Sequence, residues 1–153
     1  MKITCGIYLF NLDNKTLLVG HVTGFDKFSI PKGIMDPTDK GYWEAALREF
    51  LEETNIDFNS LNVLETHEFP FVSYKTQNKL LKSYLVIIRG FDDCKKIKCT
   101  STFKNEKDEE LPELDYFEWV SIKKAKKILS YAQIENLSTI KTITEDKKFK
   151  YVL

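Results

Sequence analysis

The sequence has neither a net charge nor a long apolar run. Its 23 lysines and arginines balance 23 aspartates and glutamates, so no overall field attracts nucleic acid or an anionic membrane surface. No stretch approaches the roughly 20 apolar residues of a membrane-spanning helix. The N-terminus leads directly into a strand-like run without an apolar signal region. We therefore expect a cytoplasmic protein with no membrane partner and no obligatory protein partner.

Cysteine and histidine are also scarce. Cys5, Cys94 and Cys99 do not form a disulfide framework, and Cys94 and Cys99 are too far apart for a CxxC metal clip. We expect all three to be reduced thiols, as is usual in the cytosol. His21 has no second histidine at metal-binding spacing, so a surface or hydrogen-bonded role is expected for it. His67-Glu68 is half of a zinc motif that lacks its second histidine, so no zinc site is expected there. The GxxxxGK[ST], GxGxxG, HExxH and GxSxG motifs are missing too.

The remaining composition is that of a globular protein, with 42% hydrophobic and 30% charged residues in 153. This length suffices for one substantial core, so we expect a single domain over 1–153. The order strands, helix, strands, helix predicts an α+β fold, a mixed sheet with helices on its faces. Pro70 makes 63–74 an edge or bulged strand. The predicted elements are strands at 3–10, 15–19, 63–74, 80–89, 97–100 and 117–120, a turn at 76–78, an acidic loop at 107–113 and a helix capped by Ser121.

Arginine occurs only twice, and one of the two, Arg48, begins the run REFLEE at 48–53. Good helix formers around this run predict a helix. Residues three and four apart are neighbours on a helix, so the carboxylates at 49, 52 and 53 share one face and repel each other. Leu47, Phe50 and Leu51 are expected towards the opposite, buried side. Such an acidic face is either simply solvated or a site for a hard divalent cation such as Mg²⁺, which binds oxygen ligands.

The stretch at 31–57 resembles the Nudix box, G-x5-E-x7-R-E-U-x-E-E-x-G-U, in which U is a bulky apolar residue. Gly33 matches the first glycine, and the helical half is matched by Arg48, Glu49, Phe50, Glu52, Glu53 and Ile56. The stretch departs from the pattern by a one-residue insertion near Lys40–Gly41, by Asp39 in place of the loop glutamate and by Asn55 in place of the final glycine. The last change is mild, because asparagine tolerates the left-handed conformation at a helix end.

The resemblance implies a Nudix α/β/α sandwich and the hydrolysis of a nucleoside diphosphate linked to another group, with Mg²⁺ or Mn²⁺ as cofactor. It further implies that Glu52 and Glu53 are metal ligands and that Glu49 is a ligand or the general base. The backbone carbonyl of Gly33 would complete the metal shell, and Arg48 would orient a glutamate. These expectations make the glutamate helix the catalytic centre.

Substrate choice depends on residues outside the box. The segment Pro31-Lys32-Gly33, which leads into the box, is similar to that of the diadenosine tetraphosphate hydrolases and of their relatives that trim RNA 5′ ends. In that group, a glutamate six residues before the strand tryptophan serves as a further metal ligand or as the base. Counting back from Trp119 gives Glu113, which is otherwise a solvated loop residue. The candidate substrate-binding residues are Lys32, Tyr74, Lys75, Lys79 and Lys82. The alternatives are a MutT-type nucleoside triphosphate pyrophosphatase and a non-catalytic nucleotide-binding Nudix sensor.

Overall fold

A computed structural model describes residues 1–75, 78–91 and 96–151 of the chain. The strands are β1 (Lys2–Asn11), β2 (Thr16–Val22), β3 (Phe28–Ser29), β4 (Lys32–Ile34), β5 (Asn62–Glu68), β6 (Val72–Ser73), β7 (Lys79–Arg89), β8 (Thr102–Lys104), β9 (Glu110–Pro112) and β10 (Leu114–Val120). The helices are α1 (Tyr42–Thr54), α2 (Ile122–Ile128), α3 (Tyr131–Ile134) and α4 (Leu137–Thr144), with short 3₁₀ turns at Phe58–Ser60 and Lys147–Tyr151.

The main sheet is mixed, in the order β10-β2-β1-β7-β5, with β3, β4 and β6 paired to β2, β1 and β7. The central strands β1 and β7 run parallel, from the pair Lys2–Lys79 to the pair Asn11–Ile88, and the other pairs are antiparallel. Both central strands are buried on their two faces, which explains their continuous apolar runs. The edge strand β5 contains a bulge, as predicted, but it ends at Glu68 instead of continuing to position 74, and β6 pairs separately with β7.

Helices cover both faces of this sheet. Because side chains alternate along a strand, Ile7 and Leu9 of β1 pack in one core with Ala46 and Phe50 of α1. Tyr8 and Phe10 belong to the other core, together with buried residues of α2 and α4 such as Ala125, Leu137 and Ile140. The arrangement confirms the predicted α/β/α sandwich.

Several local expectations were wrong. The segment 97–100 is not a strand, because its backbone donates to carbonyls of α1 instead of a neighbouring strand. The acidic segment 107–113 is not simply a loop, since β9 pairs with β8. Leu51 is 49% exposed rather than buried. The final helical region divides at Leu129, where the backbone turns extended, although Ser121 caps α2 by accepting from Lys124 N at 3.1 Å.

The structure describes two of the three cysteines and both histidines. Cys5 and Cys99 are buried free thiols, whereas Cys94 and the turn residues Thr76 and Gln77 lie outside the described residues. His21 is hydrogen-bonded, with Nδ1 2.7 Å from Oδ1 of Asp115, and His67 likewise contacts Glu65. Within the described ranges, no helix has the length and apolar character needed to span a membrane.

Candidate active site

Helix α1 holds the glutamates because its apolar side is fixed in the core. Ala45, Ala46 and Phe50 are fully buried against the sheet. The helix ends at Asn55, which has the left-handed conformation (φ 59°) and donates its backbone N–H to the carbonyl of Leu51 at 2.8 Å. This cap is the predicted replacement for a terminal glycine. The result is a rigid helix whose acidic side faces β4.

The arginine of the helix braces its acidic residues. Arg48 makes a two-pronged contact with Asp39, from Nε to Oδ1 at 2.9 Å and from Nη2 to Oδ2 at 2.8 Å. Its Nη1 donates to Glu49 at 2.9 Å and to Glu52 at 3.3 Å. A planar guanidinium suits such multiple carboxylate contacts, which an ammonium cannot reproduce. Asp39 therefore supports the site as an anchor for Arg48, despite the insertion in the loop.

Strand β4 lies directly against the glutamates. The backbone N–H of Lys32 donates to Oε1 of Glu53 at 2.8 Å. A Cβ atom at Gly33 would overlap the carboxyl group of Glu49, so only glycine permits this close approach. The sequence places this glycine 15 residues before Arg48, and the β1–β4 pairing brings it to the helix.

Glu113, which follows β9, adds a fourth glutamate to those of α1. Its backbone N–H donates to the carbonyl of Ser101 at 3.1 Å, and its own carbonyl accepts from Thr23 N at 3.2 Å. Its side-chain Oε2 accepts a hydrogen bond from the Ser101 hydroxyl at 3.4 Å. We expected an acidic loop here, but Glu113 directly follows β9, and both its backbone N–H and its carbonyl are bonded. The carboxylates that the structure brings together are Glu49, Glu52, Glu53 and Glu113.

The segment before β8 ties Glu113 to the helix. The carbonyl of Glu52 accepts from the backbone N–H groups of Thr100 and Ser101 and from the Thr100 hydroxyl, the last at 2.7 Å. Lys98 N donates to the carbonyl of Thr54. These bonds satisfy carbonyls in the last turn of α1, which have no partner within the helix. Hydrogen bonds thus connect the last turn of α1 to the segment that bonds to Glu113, although the two are far apart in sequence.

Burial favours the protonated forms of Glu49 and Glu53. It raises the pKa of Glu49, which the neighbouring Arg48 partly offsets. Burial also raises the pKa of Glu53 well above 4.5, and Glu113 adds to this increase, while the bond from Lys32 N opposes it. Crowded, desolvated carboxylates favour the protonated form. A cation brought between them reverses that preference.

The carboxylates form part of the lining of a cleft of about 660 Å³ that also contains basic and aromatic side chains. Its lysines are Lys27, Lys32 and Lys79. Burial together with the positive charges of Lys32, Lys27 and Lys2 lowers the pKa of Lys79. In the part of the chain that the structure describes, no carboxylate forms an ion pair with Lys2, Lys27, Lys32 or Lys79. An acidic helix and an unneutralised basic group therefore share one cleft.

The predicted substrate-binding residues divide into two groups. Lys32, Tyr74 and Lys79 line the cleft. Lys82 does not, because its Nζ is buried and donates to the carbonyl of Phe69 at 2.7 Å while pairing with Glu68. Lys75 is also outside, with its Nζ 4.1 Å from the ring centre of Tyr131. The sequence reading missed the cleft residues Thr23, Phe25, Lys27 and Phe103, which no motif marks.

The sequence model of the NUDIX domain family matches residues 2–139. An uncharacterised 17.7 kDa protein from the e–segB intergenic region of Enterobacteria phage T4 is 30% identical over 124 residues, which cover 76% of this chain and 81% of that protein. The asymmetrical bis(5′-nucleosyl)-tetraphosphatase of Caenorhabditis elegans is 32% identical over 108 residues, 70% of this chain and 67% of that enzyme.

Solved structures show the same fold. A binary complex of the C. elegans Ap4A hydrolase superposes with a TM-score of 0.66 at 23% identity and covers 94% of this chain and 96% of that one. The MutT protein from Methanosarcina mazei Go1 gives a TM-score of 0.61 at 16% identity, with 95% and 96% covered. The solved structures thus show the fold. The family model over residues 2–139 and the C. elegans relative establish that the chain belongs to the Nudix family and is a hydrolase of phosphoric anhydrides.

Proposed function

We propose that the protein is a metal-dependent pyrophosphohydrolase of dinucleoside polyphosphates, with the 5′ end of RNA as the nearest competing substrate. One observation carries this proposal: four carboxylates and three lysines converge in one cleft of about 660 Å³. Carboxylates suit a divalent cation, and lysines without acidic partners suit a polyphosphate. The resemblance to the C. elegans tetraphosphatase supports a dinucleoside substrate.

The residues present fit a bound Mg²⁺ or Mn²⁺. The proposed ligands are Glu49, Glu52, Glu53 and Glu113, with the carbonyl of Gly33, and all are hard oxygen donors. Among the described residues, no three carboxylate, histidine or cysteine side chains surround one point at ligand spacing. Glu49 and Glu53 would have to turn from Arg48 and from Lys32 N to share a cation with the others. Such a cation lowers the pKa of a bound water and neutralises charge on phosphate oxygens.

The protein's own groups have separate tasks in this proposal. Arg48 keeps Glu49 and Glu52 in place through its contacts to both. Glu49 or Glu113 accepts the proton of the attacking water, and the desolvation that raises the pKa of Glu49 makes it a stronger base than a solvated carboxylate. Lys32 and Lys79 hold the phosphates, since both line the cleft beside the carboxylates. Tyr74, whose ring lies 4.8 Å from Lys79 Nζ, offers a surface for stacking a nucleobase.

A substrate panel tests the assignment. Turnover of diadenosine tetraphosphate, 5′-triphosphate RNA and oxidised dGTP is compared for the wild type with Mg²⁺ or Mn²⁺. We expect the first two to exceed oxidised dGTP in kcat/KM. Oxidised dGTP ahead by tenfold or more would make the protein a MutT-type enzyme. A wild type that is inert on all three but binds them in calorimetry would make it a sensor.

The metal centre is tested with Glu53→Gln, which preserves shape but removes the charge. We expect it to abolish most activity on the preferred substrate. The matched control is Glu44→Gln, an exposed glutamate in the first turn of the same helix that does not line the cleft. If Glu53→Gln retains a rate within threefold of the wild type, the catalytic assignment of the helix fails.

A further inference from the structure

Two exposed phenylalanines stand in the wall of the cleft. Phe25, in the turn between β2 and β3, is 61% exposed, and Phe103 on β8 is 36% exposed. Both line the cleft, together with the carboxylates. Large apolar side chains at a polar cleft are typical of ligand-binding surfaces. The metal and phosphate chemistry proposed above uses neither ring.

Both rings are positioned by the segments that anchor Glu113. Thr23, two residues before Phe25, donates its N–H to the carbonyl of Glu113, and Ser101, two residues before Phe103, accepts from the N–H of Glu113. The β8–β9 pairing fixes Phe103 opposite Leu111. The two phenyl groups therefore belong to two hairpins that meet at Glu113.

Tyr74 lies on the opposite flank of the catalytic carboxylates. It follows β6, which pairs with β7, while Phe25 belongs to the β2–β3 turn, and β1 lies between β2 and β7. The strand that contacts Glu49 and Glu53, β4, pairs with β1. The cleft thus has aromatic side chains at both flanks and its charged groups between them.

The Phe25 flank also contains polar features. The Thr23 hydroxyl is buried and has no hydrogen-bond partner within the described residues, although Thr23 lines the cleft. Such a group costs stability until a partner arrives. Lys27 Nζ lies 5.1 Å from the ring centre of Phe25. An aromatic surface, a spare hydroxyl and a positive charge together match a nucleotide.

We propose that Phe25 and Phe103 form a second nucleobase subsite, which takes the base remote from Tyr74 in a dinucleoside polyphosphate, with Thr23 contacting the edge of that base. The inference rests on the proposed function and deepens it, because a second base subsite gives a substrate with two bases an advantage over one with a single base. Stacking on an aromatic side chain tolerates any base. The subsite therefore selects for a second base and not for its identity.

The test compares diadenosine tetraphosphate with adenosine tetraphosphate, which has the same number of phosphates but one base. Phe25→Leu and Phe103→Leu are measured beside Phe71→Leu, a control at an exposed phenylalanine that packs on Tyr42 and does not line the cleft. We expect each cleft variant to lower kcat/KM for the two-base substrate by about tenfold, from the usual contribution of base stacking. Adenosine tetraphosphate should change less than twofold.

An equal loss on both substrates, or no loss on either, would overturn the subsite. If the wild type hydrolyses neither nucleotide, the proposed function fails, and the subsite is then tested separately by the calorimetric affinities for the two nucleotides. Tighter binding of diadenosine tetraphosphate than of adenosine tetraphosphate, removed by Phe25→Leu and not by Phe71→Leu, would retain the subsite. Equal affinities of the wild type for the two nucleotides would reject it.

Discussion

The buried carboxylate of Glu53 should destabilise the metal-free protein, and its removal should reveal by how much. Burial and the neighbouring Glu113 raise the pKa of Glu53 from 4.5 to about 9. Between these values the folded state holds a proton that the unfolded state has released. The free energy of unfolding therefore falls as pH rises from about 5 to about 9. The protein should be more stable at the acidic end of this window.

The expected magnitude follows from the width of the window. pH 7 lies 2.5 units above the pKa of 4.5 of the carboxyl in the unfolded chain. Each unit corresponds to about 1.36 kcal/mol, so keeping this group protonated in the folded state lowers the free energy of unfolding by about 3 kcal/mol. Gln at position 53 is neutral at every pH and retains an oxygen for the bond from Lys32 N. We expect Glu53→Gln to stabilise the metal-free protein by about 3 kcal/mol at pH 7 and by under about 1 kcal/mol at pH 5.

Urea unfolding in the presence of EDTA at pH 5, 6, 7 and 8 measures this difference directly. The control is Glu52→Gln, because the Glu52 side chain is 42% exposed and its replacement should change stability by less than about 1 kcal/mol at each pH. With saturating Mg²⁺ the order should reverse, since only the wild type gains the full binding energy. Equal pH slopes for the wild type and Glu53→Gln would refute the reasoning.

Further predictions concern the groups around this carboxylate. Glu113→Gln should lower kcat by about 100-fold or more if Glu113 is the general base, with little change in the melting temperature; an unchanged kcat would leave Glu49 as the base. Gly33→Ala should lower both Mg²⁺ affinity in calorimetry and activity, because the new methyl group overlaps the Glu49 carboxylate; wild-type affinity would contradict the close packing. Arg48→Lys should weaken Mg²⁺ binding by about 10-fold, which is the usual scale for a group that orients a ligand. The reason is that lysine cannot bridge Asp39 and Glu49 together. Binding equal to that of the wild type would show that one positive charge is sufficient.

Local chemistry made the acidic helix predictable from sequence. The spacing of REFLEE at 48–53 determined which carboxylates share a face. Asn55 was recognisable as a left-handed cap because few residues tolerate that conformation, and the backbone has it. The long apolar runs of β1 and β7 likewise predicted buried strands. These features depend on neighbours a few residues apart.

The remaining features of the site depend on residues that only the folded chain brings together. Lys82 and Lys79 are alike in sequence, yet Lys82 is held by the Phe69 carbonyl outside the cleft and Lys79 lines it. Phe25 and Phe103 line one cleft because Thr23 and Ser101, two residues before each of them, both bond to the backbone of Glu113. The sequence by itself determined the acidic helix and its cap, because these follow from residue type and spacing along the chain. The tertiary structure alone decided which lysines and aromatic residues share the cleft, because backbone bonds between distant segments bring residues as far apart as 25 and 103 to one site.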